Sequence, residues 1–128
     1  MNRPRSFRLG NMQLRIMKVL WERGVANVAE VHEALRGEVH VAYTTVATML
    51  RKMETRGLVQ HEVDGRRFIY RASVAPELVS RSMANDVLER LFDGSLADMV
   101  SHLLAHREVS RDELLRLQRL IAERKKMP

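Results

Sequence analysis

Residues 42–56 read AYTTVATMLRKMETR, and this stretch decides the fold because it has two faces of opposite character. Its apolar residues recur at helical spacing, which predicts a helix, ended by Gly57, with one buried face. That face consists of Val46, Met49, Leu50 and Met53. The opposite face carries hydroxyls and cations, with no acid before Glu54: Thr44, Thr48, Arg51 and Thr55, flanked by Tyr43, Thr45 and Lys52. A generic solvated helix mixes acids with bases, so this face is typical of a helix that contacts a polyanion.

Two helices are predicted upstream of this one. The first runs from about Asn11 to Arg23 and ends at Gly24. The second starts after Asn27, which forms a capping box with Glu30 three residues later. Apolar residues at helical spacing give each helix one buried face: Leu9, Met12, Ile16 and Leu20 in the first, and Val28, Val31 and Leu35 in the second.

A β-hairpin is predicted downstream. Residues 58–63 and 66–71 are strand-like, and Asp64-Gly65 between them is a strong two-residue turn signal. This register sets Glu62 opposite Arg67 and His61 opposite Phe68, with Arg66 and Arg67 at the tip. Three short helices followed by a hairpin with a basic tip are the order of a winged helix-turn-helix. The fold class is therefore mainly α with a small β-hairpin: a winged-helix domain over residues 9–74 and a helical dimerisation region over residues 75–128.

The positive charge is confined to the first part of the chain. The formal net charge is +6, and residues 1–74 hold 13 Lys/Arg against 7 Asp/Glu, whereas residues 75–128 hold 9 of each. A basic module beside a neutral one indicates a nucleic-acid-binding part and a part with another task. Residues 1–8 form a predicted flexible basic arm.

Composition excludes several other classes of protein. The chain has no cysteine, which removes disulfides, thiol catalysis and thiolate metal sites. No signal peptide and no membrane-length apolar run are visible, so we expect a cytoplasmic protein without membrane insertion. No phosphate-cradling glycine loop or nucleophile–base pair is present, so we expect neither an enzyme nor a cofactor.

The last third of the chain predicts three amphipathic helices that need a partner surface. The first ends near Asp93-Gly94, the second is capped by Ser95, and the third opens with a capping box of Ser110 and Glu113. About 50 residues in three helices cannot enclose so many apolar side chains alone, so we expect a homodimer. The predicted dimerisation residues are Leu88, Leu91, Met99, Leu103, Leu114, Leu117, Leu120 and Ile121. The alternative is packing against the chain's own first module.

Several of these runs resemble the penicillinase-repressor family, the BlaI/MecI/CopY group. The resemblance covers most of the chain and is strongest through residue 72. The runs that carry it are LGN at 9–11, IMKVLW at 16–21, VHEAL at 31–35, AYTTVATMLRKM at 42–53, RGLV at 56–59, DGRRFIY at 64–70 and VSRDEL at 109–114.

This resemblance implies a homodimeric transcriptional repressor on a palindromic operator, controlling genes for a β-lactam or other stress response. It also implies release by a sensor-linked protease, which would cut at His102-Leu103 by position. The familiar members have Asn-Phe there, and this departure argues against recognition by the same protease. The Cys-x-Cys tail of copper-responsive relatives is absent.

We predict that Thr44, Thr48 and Tyr43 read bases, since hydroxyls bond base edges and the Thr methyl packs on thymine. A phosphate contact through the Tyr43 hydroxyl, or packing of its ring on the second helix, stays open. Phosphate contacts are predicted for Thr45, Arg51, Lys52, Arg66 and Arg67. Two alternatives remain. One is a metal-responsive regulator using His102 and His106, four residues apart on a helix. The other is a winged-helix protein-interaction module without DNA binding.

Overall fold

The computed structural model describes residues 8–128. The predicted flexible arm, residues 1–8, lies outside this range except for Arg8. The Arg8 carbonyl accepts a hydrogen bond from Arg56 Nη2 at 2.9 Å, and its guanidinium lies 3.4 Å from the Asp86 carboxylate. Arg8 is thus held against the folded chain.

The predicted fold class is confirmed: helices dominate, and a small antiparallel sheet accompanies them. The helices are α1 (Asn11–Arg23), α2 (Val28–Leu35), α3 (Tyr43–Thr55), α4 (Pro76–Phe92), α5 (Leu96–Ala105) and α6 (Arg111–Lys125). The strands are β1 (Ala26–Asn27), β2 (Val59–Asp64) and β3 (Arg67–Ala72).

The helix ends follow the capping signals, with one correction. Asn27 Oδ1 accepts from the Glu30 N–H at 2.8 Å and Glu30 Oε1 accepts from the Asn27 N–H at 2.9 Å, a complete capping box. Ser110 Oγ accepts from the Glu113 N–H at 3.1 Å. The return bond from the Glu113 side chain is not formed, so the box predicted there is only half correct.

The wing register differs from the predicted one. Asp64 pairs with Arg67, Val63 with Phe68, Glu62 with Ile69 and His61 with Tyr70. The two loop residues are therefore Gly65 and Arg66, and not Asp64 and Gly65. The reason is turn geometry. A type I′ turn needs positive φ at both loop residues, whereas a type II′ turn needs it only at the first, where Gly is favoured. Gly65 has φ +63°, and Arg66 is not among the residues of positive φ.

A third strand, which the sequence analysis did not predict, completes the sheet. Strand β1 pairs antiparallel with β3, so that Ala26 faces Tyr70 and Asn27 faces Ile69. The sheet order is β1-β3-β2. This pairing ties the root of the wing to the residues that lead into α2.

One hydrophobic core joins α1, α2, α3, the sheet and the start of α4. Its buried members are Leu9, Ile16, Met17, Leu20, Ala26, Val31, Leu35, Val46, Leu50, Met53, Leu58, Val59, Tyr70 and Val79. Trp21 Nε1 donates to the Val74 carbonyl at 2.9 Å, which fastens α1 to the segment before α4.

The chain divides into two compact units, and the division falls within α4 after Asp86. Val79 is buried in the core of the first unit, and Met83 packs against it. This division lies downstream of the predicted domain boundary at residue 74, because the first half of α4 packs with the winged helix. In the second unit, α5 and α6 have no buried residue.

Candidate nucleic-acid interface

Helix α3 is held by its apolar face. Val46, Leu50 and Met53 are fully buried, and Met49 packs against the core while half-buried. Roughly 1.5–3 kcal/mol of transfer free energy per buried side chain of this size is enough to fix the rotation of the helix about its axis. The opposite face is therefore fixed in direction.

The outward face of α3 presents the predicted polar residues to solvent. Thr44, Thr45, Arg51 and Lys52 are exposed, and Thr48 is half-buried. Arg51 Nη2 lies 3.4 Å from Thr48 Oγ1, in position to donate to it. This bond leaves the hydrogen of the Thr48 hydroxyl available for an external acceptor.

Tyr43 lies at the edge of this face and also contacts α2. Its side chain is 49% exposed. Its ring meets the His32 ring edge-on, with 6.0 Å between centroids, and His32 Nε2 lies 2.8 Å from the Val41 carbonyl oxygen. The ring thus packs on α2 while much of the side chain stays accessible.

The tip of the wing carries two exposed arginines, Arg66 in the turn and Arg67 at the start of β3. Within residues 8–128, neither guanidinium forms an ion pair, whereas Arg71 at the root of the wing pairs with Glu62 at 3.0 Å. Unpaired arginines at a hairpin tip are free to neutralise an external anion.

An open groove of about 1140 Å³ lies between α2, α3 and β3. Its lining brings Tyr43 and Arg51 of α3 together with Arg66 and Arg67 of the wing. The helix and the wing thus present four of the predicted DNA contacts around one groove.

A cluster that was not predicted from the sequence joins α3 to the wing. His61 Nδ1 lies 2.6 Å from Glu54 Oε1, and the His61 ring stacks on Phe68 with 4.1 Å between centroids. Tyr70 lies beside them, 5.5 Å from the His61 ring. Burial raises the pKa of the Tyr70 phenol above its ordinary value of 10.0; the charge of Glu54 raises it further and that of Arg51 lowers it. The contact between Glu54 and His61 is a tertiary one between α3 and β2, which no local spacing indicates, and the observed register adds Tyr70, which lies opposite His61.

In the tail, the predicted dimerisation residues are largely uncovered. Leu91, Leu103, Leu114, Leu120 and Ile121 are exposed, while Leu88, Met99 and Leu117 are half-buried. Leu91 is 74% exposed and Ile121 is 56% exposed, and contiguous apolar exposure marks interaction surfaces. Leu96, Leu104 and Leu115, which lie on α5 and α6, are also exposed.

The candidate proteolytic and metal-binding residues lie on α5 and just after it. His102 and Leu103 are both exposed within the helix. The His102 and His106 rings are 4.4 Å apart, and His106 Nδ1 lies 2.8 Å from the His102 carbonyl oxygen. Across residues 8–128, no group of three or more potential metal ligands is found. In the same range, no helix combines the length and apolar character needed to cross a bilayer.

The arrangement of α1, α2, α3 and the wing defines a winged-helix DNA-binding domain. The solution structure of the DNA-binding domain of the repressor BlaI matches it with a TM-score of 0.52 and 25% identity, over 59% of this chain and 93% of that one. The Bacillus licheniformis BlaI monomeric form in complex with the blaP half-operator matches with a TM-score of 0.50 and 26% identity, over 58% of this chain and 90% of that one.

Sequence comparisons extend the similarity through the tail. The family model described as penicillinase repressor matches residues 9–123. A penicillinase repressor from Bacillus licheniformis is 26% identical over 117 residues, which cover 91% of each chain. The transcriptional regulator BlaI from Mycobacterium tuberculosis is 34% identical over 122 residues, covering 91% of this chain and 84% of that protein.

The chain belongs to the penicillinase repressor family. It is a transcriptional repressor with a winged-helix DNA-binding domain, and the prediction that it is not an enzyme is confirmed by this membership.

Proposed function

We propose that this repressor acts as a homodimer that occupies a palindromic operator, with α3 of each copy in a major groove and each wing on the adjacent backbone. The observation that carries the proposal is the outward face of α3, hydroxyl-rich and basic, in a fixed direction beside two unpaired wing arginines. A relative, the monomeric form of Bacillus licheniformis BlaI, was solved in complex with a half-operator, which supports DNA binding by this chain.

Within this interface, Thr44, Thr48 and Tyr43 read base edges. Hydroxyls donate to or accept from bases, and the Thr methyl packs on the thymine methyl. Thr45, Arg51, Lys52, Arg66 and Arg67 contact phosphates, which set affinity and its salt dependence. Residues near the N-terminus of a recognition helix usually lie deepest in the groove. Arg51 lies in the third turn of α3, so we assign it to a phosphate contact and not to a base.

The helical tail forms the dimer interface and so brings in the second copy of the chain. Helices α5 and α6 have no fully buried residue, yet they carry a set of exposed leucines. A closed two-fold dimer covers such a face without leaving a new one. Two linked reading domains then bind two half-sites, whose centres lie one or more helical turns apart, at about 10 bp per turn.

Family membership makes genes of a β-lactam or another stress response the first candidate targets. A repressor acts where the chromosome is, so we infer a cytoplasmic protein. A sensor-linked protease remains a candidate partner for release; the exposed His102-Leu103 bond is its candidate site, although this bond lies inside α5.

The test is selection of bound fragments from genomic DNA with the full-length chain. We expect enrichment of a symmetric site whose two halves keep a constant spacing. Enrichment of single, unpaired sites would contradict the palindrome, and uniform retention of all fragments would contradict sequence-specific reading.

Thr48→Ala then tests the reading face on the selected operator. We expect discrimination to relax at one base pair in each half-site, by up to about 1–3 kcal/mol. Thr55→Ala is the matched control, because the Thr55 hydroxyl already donates to the Arg51 carbonyl at 3.2 Å. An equal loss on every sequence, or the same change in Thr55→Ala, would count against base readout by Thr48.

A further inference from the structure

The wing has little packing of its own near its tip. Val63 is 63% exposed and its cross-strand partner Phe68 is 43% exposed, so neither side chain is buried against the domain. In the part of the chain that the structure describes, neither guanidinium at the tip forms an ion pair, so no ion pair at the tip fixes Arg66 and Arg67 relative to α3.

His61 provides the missing attachment. Its Nδ1 lies 2.6 Å from Glu54 Oε1, across the gap between β2 and the last turn of α3. Within residues 8–128, no other side-chain hydrogen bond is found between α3 and either wing strand. Both partners are substantially shielded, at 26% and 33% exposure of their side chains, so the bond is less weakened by water than an exposed pair.

The same ring supports the strand that carries the arginines. It stacks on Phe68 with an interplanar angle of 15°, and Phe68 directly follows Arg67 in β3. The hydrogen bond to Glu54 fixes the plane of the His61 ring, and the ring plane fixes Phe68. The recognition helix is thereby connected, through two contacts, to the start of β3.

We propose that His61 is a positioning residue, which holds the wing at the angle to α3 at which Arg66 and Arg67 reach the backbone while α3 is in the groove. This inference rests on the proposed DNA-binding function. At about 3.3 Å per residue, the tip lies about 13 Å beyond His61, so a tilt of about 10° moves it by about 2 Å. Such a shift is large beside the span of a hydrogen bond to phosphate, about 2.7–3.2 Å, so each arginine must change its side-chain conformation to keep that bond.

Glu54 gains a second role from this contact. It is the single acid of α3, and a free carboxylate on a helix in the groove would repel phosphate. The bond to His61 turns it toward the wing, so the acid serves the interface as an anchor.

A double-mutant cycle tests the proposal with the full-length chain and its selected operator. His61→Ala is measured alone and together with Arg66→Ala/Arg67→Ala. Acting through the wing, His61→Ala weakens binding and flattens the salt slope by at most about 1.8 per domain, the share of the two arginines. It then causes no further loss when both arginines are already absent.

His61→Phe keeps a ring on Phe68 and lacks the bond to Glu54, and it serves as the measured variant if His61→Ala does not fold. We expect an intermediate loss from it. A loss of the same size with and without the arginines, or no loss at all from either His61 variant, overturns the proposal. No effect from Arg66→Ala/Arg67→Ala alone would instead refute the wing contact in the proposed function.

Discussion

The wing arginines allow a quantitative test of how the domain meets DNA. Arg66 and Arg67 are exposed and form no ion pair within residues 8–128, so replacing both with Ala removes two free cations without breaking an internal contact. Each phosphate neutralised on B-DNA contributes about 0.9 to the slope of log affinity against log salt. The double variant therefore lowers the slope by about 1.8 for each bound domain.

The magnitude depends on how many copies bind. Between about 50 and about 200 mM salt, a slope change of about 1.8 shrinks the affinity ratio of wild type to variant by roughly 12-fold. Two domains on one operator double the slope change to about 3.6, and the ratio then shrinks by roughly 150-fold. The measured slope thus counts wings on the DNA as well as testing their contact.

Fluorescence anisotropy on the selected operator, at five or more salt concentrations, gives these slopes. The matched control is Arg36→Ala/Arg71→Ala, which also lowers the net charge of +6 by two. Those arginines are already paired, with Glu33 at 2.9 Å and Glu62 at 3.0 Å. Parallel lines for wild type and Arg66→Ala/Arg67→Ala would refute the wing contact. An equal change in the control would show that net charge, and not the wing, sets the slope.

Two further predictions concern the tail and the core. Ile121→Glu is expected to convert a dimer into a 14.8 kDa monomer in analytical ultracentrifugation, because it buries a charge in an apolar interface. Arg119→Glu, about 200° away around α6, is the control. Dimers of both variants would refute the assignment of Ile121 to the dimer interface. The pKa of the Tyr70 phenol is raised, so the folded state keeps the phenol proton to a higher pH than the unfolded state does. The contribution of Tyr70 to the free energy of unfolding is therefore fully present below pH 10 and falls as the pH rises beyond it. Tyr70→Phe should flatten this alkaline fall in urea titrations while Tyr43→Phe leaves it, and equal slopes in all three proteins would contradict it.

The helices were predictable because their signals are local. Four apolar residues at helical spacing predict the buried face of α3. The capping box of Asn27 and Glu30 predicts the first residue of α2. The polar face of α3 follows from the same periodicity, since whatever is not buried faces solvent. These parts of the candidate site needed no tertiary information.

The wing register was not predictable from the alternation of its strands. The predicted and observed registers differ by two positions, so every side chain stays on the same face of the sheet in both. Only the turn distinguishes them, and the choice depends on whether Gly65 is the second or the first loop residue. Strand β1 was not predicted because it has only two residues, Ala26 and Asn27, which are too few to show the alternation of a strand. The Glu54–His61 contact depends on the tertiary packing of β2 against α3, and no spacing in the sequence indicates it.

DNA reading and dimerisation are assigned to different parts of the chain, and this separation bears on how the repressor leaves DNA. Half of α4 belongs to the core of the winged helix, through Val79 and Met83, while α5 and α6 bury no residue of their own. Separation of two paired tails therefore leaves the winged-helix domain folded and the outward face of α3 unchanged. In the proposed dimer, such an event costs the second half-site, and operator affinity falls because two linked contacts become one. For the dimer as proposed, release needs no change at α3, because loss of the pairing of α5 and α6 alone removes the second half-site.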